Sequence, residues 1–249
     1  IKKFVGSEVK KIISFEKLES SSLLISDIYN ENVKDKTINK NIKRKMPACI
    51  IYTSGTSGNP KGVILSHGGI LSNCEGALDI LQSLTKKKEP VFLTWLPLSH
   101  SYEHAVQFIQ IFLGAKVFYA ESLEKLISNM SEAKPTIMTA VPRFYQNLFS
   151  KININFNKQT GFKKNLINKT IELGKKTLRK EKLKLSEKII NFLCHNLVRR
   201  KIQKQFGGDL QAFVSGGGAL DKDVGEFLNA IGLPTLQGYG LTETSPVVS

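Results

Sequence analysis

The chain has 249 residues, of which 41% are hydrophobic and 23% charged, and its formal net charge is +15. These values are typical of a globular protein with one sizeable core, and they argue against a fibre or a disordered chain. No apolar run reaches the ~18 residues of a membrane span, and the opening residues lack the apolar segment of a secretory signal. The three cysteines, Cys49, Cys74 and Cys194, lack metal-ligand spacing. We therefore expect a cytoplasmic protein with reduced thiols.

The positive charge allows a nucleic acid or an anionic membrane surface as a partner, because clustered Lys and Arg attract phosphates. However, Lys, Ile and Asn recur in all parts of the chain, as in proteins from genomes rich in A and T. A bias of this kind raises the charge without any selection for a partner. The net charge alone therefore assigns no partner.

Short apolar runs alternate with helix-length amphipathic segments along the chain. The predicted strands are 48–53, 91–95, 116–120, 136–140, 211–215 and 234–237. The predicted helices are 69–84, 102–113, 123–130, 143–149 and 222–230. This alternation predicts an α/β fold with buried parallel strands and flanking helices. In such sheets ligands bind beside the loops that follow the strands.

The segment 161–206 has a different pattern, in which apolar stripes run among many Lys and Arg residues. The stripes are carried by Leu166, Ile167, Ile171 and Leu178, and then by Ile189, Ile190, Leu193 and Leu197. We expect a basic helical hairpin of two amphipathic helices with a break near 180–185. Its basic face has two interpretations. We favour a solvated surface, and the alternative is a face that docks on an anionic membrane.

A loop rich in hydroxyls and glycine follows the first predicted strand. It contains Thr53, Ser54, Gly55, Thr56, Ser57 and Gly58, and it ends at Lys61. Glycines let backbone N–H groups approach phosphate oxygens, hydroxyls add donors, and a lysine supplies positive charge. The loop is not a Walker A motif, which requires Gly-Lys followed by Ser or Thr. The sequence thus predicts a phosphate-binding loop and disfavours a P-loop NTPase.

The loop after the second predicted strand carries His100, Glu103 and His104. Their spacing allows a His-x-x-Glu-His zinc motif, but the sequence offers no third ligand. A single histidine is more often a structural residue than a ligand. We therefore disfavour zinc and retain His100 as a candidate site residue.

Two glycine-rich segments follow the last two predicted strands. They are Gly216-Gly217-Gly218 and Gly238-Tyr239-Gly240, and the second runs on through Leu241 into Thr242 and Glu243. Because glycine has no side chain, its backbone can approach a flat or anionic ligand closely. Tyr239 offers an aromatic face for a base. Thr242 offers a hydroxyl, and the carboxylate of Glu243 is a hard oxygen ligand of the kind that suits Mg²⁺.

Together these motifs resemble those of the AMP-binding, adenylate-forming superfamily, through residues 52–63 and 238–244. Residues 96–103 and 140–145 are similar to the long-chain fatty acyl-CoA synthetases within it. The resemblance covers essentially the whole chain. It implies that residues 1–249 are a partial large domain of an acyl-CoA synthetase-like fold, with the small C-terminal domain absent. It also implies that a long-chain fatty acid and ATP give acyl-AMP and pyrophosphate, before transfer to coenzyme A.

The resemblance implies roles for the candidate residues around the phosphates. Thr53 to Lys61 would surround the phosphates of ATP, and Thr242 would approach the α-phosphate. Glu243 would hold Mg²⁺, with Thr56 as a second candidate ligand. Lys61, Thr242 and Glu243 would thus be catalytic.

The resemblance also implies roles around the base and the acid. The segments Gly216–Gly218 and Gly238–Gly240 would frame the adenine, with Tyr239 stacked on it. His100 would lie near the acyl carboxylate and is the fourth expected catalytic residue.

Two alternative functions remain open at this stage. The first is an adenylate-forming ligase that uses another acid or passes the acyl group to a carrier protein. The second is a basic module that binds nucleic acid or a membrane surface, which the charge favours but which leaves the glycine-rich loops unexplained. We expect no nucleic-acid partner. Peripheral contact of the basic helices with the inner face of a membrane stays an open interpretation.

Overall fold

The structure is a computed structural model that describes residues 12–15, 22–24, 26, 41–54, 58–85 and 89–248. The chain divides into two units, residues 1–42 and 43–249. In the first unit, strands β1 (Ile12–Ser14) and β2 (Ser22–Leu24) pair in parallel. The candidate site residues all belong to the second unit.

The first predicted strand belongs to a separate two-stranded hairpin. Strand β3 (Pro47–Thr53) pairs antiparallel with β4 (Lys61–Ser66), a strand that the sequence analysis did not predict. The strand predicted at 48–53 is present, but the prediction that it is buried is wrong, because Ile50 and Tyr52 are 57% and 70% exposed and only Ile51 is buried. Side chains alternate between the two faces of a strand, and only one face of this hairpin is covered.

The other five predicted strands form one parallel sheet in the order β6-β5-β7-β8-β9. They are β5 (Val91–Thr94), β6 (Lys116–Tyr119), β7 (Ile137–Ala140), β8 (Ala212–Ser215) and β9 (Thr235–Gln237). All residues of the central strand β7 are buried, whereas the edge strands β6 and β9 are partly exposed. The predicted α/β class with a parallel sheet is confirmed.

Helices connect the strands of the second unit. They are α1 (His67–Thr85), α2 (Ser101–Phe112), α3 (Leu126–Ala133), α4 (Pro142–Asn157), α5 (Gly161–Leu178), α6 (Leu185–Cys194), α7 (Arg200–Gln205) and α8 (Lys222–Ala230). Helix α4 continues past its predicted end at 149, because Ile152 and Phe156 also pack against the core. Within the described part of the chain, no helix is long and apolar enough to cross a membrane.

The middle of β8 contacts aromatic rings from two helical segments. The ring of Phe213 lies 6.0 Å from Phe144 and 5.5 Å from Tyr145, both in α4, and 6.1 Å from Phe206, which follows α7. All three contacts are edge-to-face, a geometry that the ring quadrupoles favour. This packing attaches α4 and the end of the basic segment to the sheet that positions the site.

The basic segment forms the expected helices with the expected break between Leu178 and Leu185. A π-helical turn, His195–Arg199, joins α6 to α7. Arg199 is buried and donates hydrogen bonds to the carbonyl oxygens of Thr170 and Ala230 at 2.9 and 2.8 Å. A third hydrogen bond reaches the side chain of Asn191 at 2.8 Å. One guanidinium thus joins α5, α6 and α8.

Candidate functional site

The candidate glycine segments lie at the carboxyl ends of neighbouring parallel strands. Residues 216–218 follow β8, and residues 238–240 follow β9. The N–H of Gly216 donates to the carbonyl oxygen of Ala140 at 3.1 Å, and the N–H of Gly238 donates to that of Ser215 at 2.8 Å. The sheet pattern therefore continues for one residue past each strand. This edge is where parallel α/β sheets bind ligands.

Gly216 lies against the ring of Tyr102, near the start of α2. A Cβ atom at residue 216 would lie only 2.5 Å from that ring. The Tyr102 hydroxyl donates to the carbonyl oxygen of Val214 at 3.0 Å, and burial together with the neighbouring Glu103 raises the pKa of the phenol. The phenol therefore stays a hydrogen-bond donor. Only glycine lets α2 approach β8 this closely.

Gly217 and Gly218 are exposed above this contact. Gly217 has φ +75, a conformation that L side chains rarely adopt. A Cβ atom at Gly218 would meet nothing closer than Pro142, at 3.5 Å. The backbone of this segment is thus accessible to a ligand, which suits the predicted adenine-framing role.

The segment after β9 folds back on itself. The N–H of Leu241 donates to the carbonyl oxygen of Pro246 at 2.9 Å, and the N–H of Val248 donates to that of Tyr239 at 2.9 Å. A Cβ atom at Gly240 would overlap the carbonyl oxygen of Pro246. The turn itself therefore requires this glycine, whatever it does for a nucleotide. The ring of Tyr239 remains exposed beside the turn.

Thr242 lies beside the start of α2. Its Oγ1 atom is 3.0 Å from Oγ of Ser101, the first residue of that helix. On the other side, the N–H of Val247 donates to the side-chain oxygen of Asn73 in α1 at 2.8 Å. The single 3-10 turn Thr242–Thr244 also contacts β4. Two helices and one strand therefore contact the segment 242–247.

The predicted phosphate loop connects the two strands of the hairpin, and Thr53 and Lys61 form its last residue pair. Lys61 and Ser54 are exposed, and Gly58 has φ +82, with no atom of the described residues within 4 Å of a Cβ built there. Gly55, Thr56 and Ser57 lie outside the described residues. Because β4 contacts the turn Thr242–Thr244, the hairpin that carries Lys61 packs against the segment that carries Thr242 and Glu243.

The three titratable residues at the start of α2, His100, Glu103 and His104, have different surroundings. His100 precedes α2 and is exposed at its amino end. Glu103 is fully buried, and burial raises the pKa of its carboxyl to about 7, although Thr139 donates a hydrogen bond to it at 3.2 Å. Nε2 of His104 lies 3.4 Å from Sγ of Cys49 in β3. Of the three, His100 is the one exposed near the candidate edge.

The residues described here include no group of three His, Cys, Asp or Glu side chains that could hold a metal ion by themselves. Glu243 nevertheless fits a metal that arrives with its nucleotide. Glu243 is exposed and directly follows Thr242 in the chain. Mg²⁺ is usually held by one or two carboxylates together with substrate phosphates, and it keeps several waters. The oxygen donors at this turn suit such a site.

Sequence reasoning missed Ser101, Tyr102 and Asn73. The sequence did show that Ser101 and Tyr102 lie at the start of a predicted helix, directly after His100. It did not show that this helix start lies against β8 and Thr242. The site roles of Lys61, His100, Thr242 and Glu243 stay predictions; the structure shows that the strand beginning at Lys61 contacts the turn Thr242–Thr244.

Known proteins resemble this chain over most of its length. It is 34% identical to the peroxisomal long chain acyl-CoA synthetase 6 of Arabidopsis thaliana over 204 residues, 81% of this chain and 28% of that protein. It is 31% identical to fatty acyl-CoA synthetase A of Dictyostelium discoideum over 254 residues, 96% of this chain and 36% of that protein. The chain thus spans about a third of the length of these curated relatives.

Solved structures share the fold at low sequence identity. The O-succinylbenzoate coenzyme A synthetase of Bacillus subtilis in complex with AMP has a TM-score of 0.56 and 18% identity, covering 90% of this chain and 45% of its own. MatB of Rhodopseudomonas palustris has a TM-score of 0.54 and 22% identity, covering 86% of this chain and 32% of its own. The family model for the AMP-binding enzymes matches residues 3–249. Since that match includes nearly every residue, the chain belongs to the AMP-binding enzyme family.

Proposed function

We propose that this chain contributes the nucleotide-binding part of an ATP-dependent long-chain fatty acid–CoA ligase. The reaction joins the acid to AMP with release of pyrophosphate, and then transfers the acyl group to coenzyme A with release of AMP. The main support is the contact between the phosphate-loop hairpin and the turn Thr242–Thr244 at the carboxyl edge of the sheet. The names of the relatives in Arabidopsis and Dictyostelium support a fatty acid as the substrate.

The first step requires alignment and charge neutralisation rather than a general base. A carboxylic acid is already ionised at neutral pH, so its oxygen is ready to attack the α-phosphorus. The ammonium group of Lys61 would stabilise the negative charge on the phosphates, and the hydroxyl of Thr242 would donate a hydrogen bond to the α-phosphate. The contact with Ser101 at 3.0 Å orients that hydroxyl.

The exposed carboxylate of Glu243 would hold Mg²⁺ on the nucleotide. When bound, the ion neutralises charge on the phosphate oxygens and helps pyrophosphate to leave. Gly217 and Gly218 would lie along the adenine, with the exposed ring of Tyr239 stacked on it. His100, at the exposed amino end of α2, would lie near the acyl carboxylate.

The proposal includes two finer points about partners. Coenzyme A, rather than a carrier protein, would receive the acyl group, as the names of the relatives suggest for those proteins. The basic helices within 161–206 would contact a membrane at its surface, because a long acyl chain partitions into lipid. The chemistry at the sheet edge does not depend on this contact.

The test is ATP–pyrophosphate exchange by the full-length protein with acids of increasing chain length. We expect exchange to require a long-chain acid, and Glu243→Gln to reduce the rate by about 100-fold without changing the thermal midpoint. The matched control is Glu132→Gln, which alters an exposed carboxylate of α3 and should exchange at the normal rate. Exchange with only short or aromatic acids would overturn the substrate class. Normal exchange by the Glu243 variant would overturn the metal role.

A further inference from the structure

Helix α6 exposes an apolar stripe that no described residue covers. Leu185, Ile189 and Phe192 are 77%, 60% and 68% exposed. Their spacing of four and three residues places them on one face of the helix. The same helix buries Cys194 towards the core. Large apolar side chains therefore occupy an outward face of α6, where a solvated helix would carry polar ones.

The stripe extends towards the π-helical turn. Leu193 and Leu197 are also exposed, whereas Val198 is buried. The expected stripe of Ile189, Ile190, Leu193 and Leu197 therefore does not face the core as a whole. An exposed apolar patch of this kind is typical of an interaction surface.

Positive charge borders the amino end of the stripe. Exposed lysines lie at positions 180, 182, 184 and 188. The carboxylate of Glu187 forms an ion pair with Lys176 at 2.7 Å, and the carboxylate of Glu226 forms one with Arg179 at 3.1 Å. These two carboxylates therefore already have cationic partners. Two further carboxylates are Glu172, which also contacts Lys176 at 3.4 Å and pairs with Lys169, and the exposed Glu181.

The combination of apolar and basic groups selects the class of partner. Nucleic acid would be attracted by the lysines but would leave the leucine, isoleucine and phenylalanine side chains in water. An apolar groove on a protein would cover the stripe but would not require the lysines. A lipid surface satisfies both, because apolar side chains enter the acyl boundary while lysines reach the headgroup phosphates. The net charge of +15 adds long-range attraction to anionic lipid.

We propose that the face formed by Leu185, Ile189 and Phe192, with the lysines at 180–188, docks on an anionic lipid surface. This proposal names the face of the protein that makes the membrane contact of the proposed function. It rests on the proposed function in one respect, namely that the substrate is a long-chain acid taken from lipid. Docking would hold the protein at the bilayer in which a long-chain acid dissolves. The interaction is peripheral, with one helix face entering the interface.

The first experiment measures sedimentation of the full-length protein with lipid vesicles. One set is phosphatidylcholine alone, and the other contains phosphatidylserine as roughly a third of its lipid. We expect at least about tenfold tighter binding to the anionic vesicles, with an affinity that falls as salt is added. Equal binding to both sets, or binding to neither, would overturn the proposal. Tight binding of DNA without any binding of vesicles would also overturn it and favour a nucleic-acid partner.

Matched variants test the apolar stripe. Ile189→Ser and Phe192→Ser should each weaken vesicle binding by about tenfold, because each removes a side chain that enters the lipid. The control is Ile154→Ser in α4, where the isoleucine is 56% exposed and thus closely matches Ile189 at 60%. It should bind like the unmodified protein. Equal loss in the Ile154 and Ile189 variants would mean that the stripe is not the contact.

The lysines are tested separately, so the proposal does not depend on one variant. Lys182→Gln combined with Lys184→Gln should weaken binding to anionic vesicles by about tenfold and leave weak neutral binding unchanged. The control is Lys222→Gln, at the exposed start of α8. A charge variant that binds anionic vesicles normally would contradict the proposal.

Pyrophosphate exchange separates this proposal from the proposed enzymatic function. Ile189→Ser should exchange normally with a long-chain acid supplied in detergent micelles, since Ile189 is outside the nucleotide site. Vesicle binding without any exchange would leave the lipid surface supported and the ligase function contradicted. Exchange without vesicle binding would support the ligase function and contradict the lipid surface.

Discussion

The hydroxyls of Ser101 and Thr242 lie 3.0 Å apart, although 141 residues separate them in the chain. Ser101 begins α2, and Thr242 begins the turn that follows β9. Because β4 also contacts this turn, the pair lies beside the hairpin that carries Lys61. The contact therefore connects three segments that are remote in sequence. It gives Ser101 a positioning role for a hydroxyl predicted to meet the α-phosphate.

We expect Ser101→Ala to reduce ATP–pyrophosphate exchange by about fivefold, because a neutral hydrogen bond is worth about 1 kcal/mol. The effect should appear in the maximal rate, since Thr242 stays in place but loses its fixed orientation. Ser128→Ala is the matched control, as Ser128 is an exposed serine of α3. Adding Thr242→Val should make the Ser101 substitution nearly neutral. Fully additive losses would show that the two hydroxyls act independently.

The packing of Gly216 against Tyr102 gives a second prediction. Gly216→Ala places a methyl group 2.5 Å from the ring of Tyr102. Residue 216 itself is buried. We expect the free energy of unfolding to fall by about 1–3 kcal/mol, as for other overpacked sites. Gly218→Ala, whose Cβ has 3.5 Å to its nearest neighbour, should change it by less than about 0.5 kcal/mol. Urea unfolding measures both values, and equal losses would disprove the steric cause.

A third prediction concerns the buried guanidinium of Arg199. Arg199→Met removes four hydrogen bonds between helices, two of them to Asn191, and should lower the free energy of unfolding by about 3 kcal/mol. Arg200→Met, at the next and exposed position, should change it by less than about 0.5 kcal/mol. Chemical denaturation of both variants makes the comparison. If the two values were equal, Arg199 would not join the helices as its hydrogen bonds indicate.

The local patterns predicted the parallel strands because each buried strand is a short apolar run between turn residues. They misjudged the burial of 48–53, because Ile50, Ile51 and Tyr52 are apolar on both faces of a strand that has one covered face. Strand β4 went unpredicted, since Lys61 was assigned to the loop. Its pairing with β3 depends on register between two segments rather than on local propensity.

The glycine segments of the site were predictable because a run of glycines directly after a buried strand is visible in the local sequence. The contact of Ser101 with Thr242 was not, since spacing in one sequence does not reveal the order of strands in a sheet. Strands β5 and β9 are separated by β7 and β8, and the connection from β5 to Ser101 must cross that distance to bring the start of α2 to the turn. Such a contact follows from tertiary packing.

The buried carboxyl of Glu103 has an unusual environment that leads to the last prediction. It accepts a hydrogen bond from Thr139, while its Oε1 has no hydrogen-bond partner among the described residues. Burial raises its pKa from 4.5 to about 7, although hydrogen bonds with Thr94 and Thr139 oppose the shift. Between these two values the folded state binds a proton that the unfolded state has released. The contribution of Glu103 to stability is therefore full below about pH 4.5 and is lost as the pH rises towards 7.

We therefore expect the free energy of unfolding of Glu103→Gln to rise relative to that of the unmodified protein as the pH rises from about 4 to about 8. The change in the difference between their unfolding free energies should be at most about 3 kcal/mol, since one pKa unit corresponds to 1.36 kcal/mol. Glu172→Gln provides an oppositely signed control, because a hydrogen bond from Lys169 lowers the pKa of the exposed Glu172. There the unfolding free energy of the unmodified protein should rise relative to that of the variant as the pH increases towards about 4.5, and the difference should stay constant at higher pH. Urea unfolding at several pH values measures both trends, and a pH-independent difference for Glu103→Gln would mean that this carboxyl keeps an ordinary pKa.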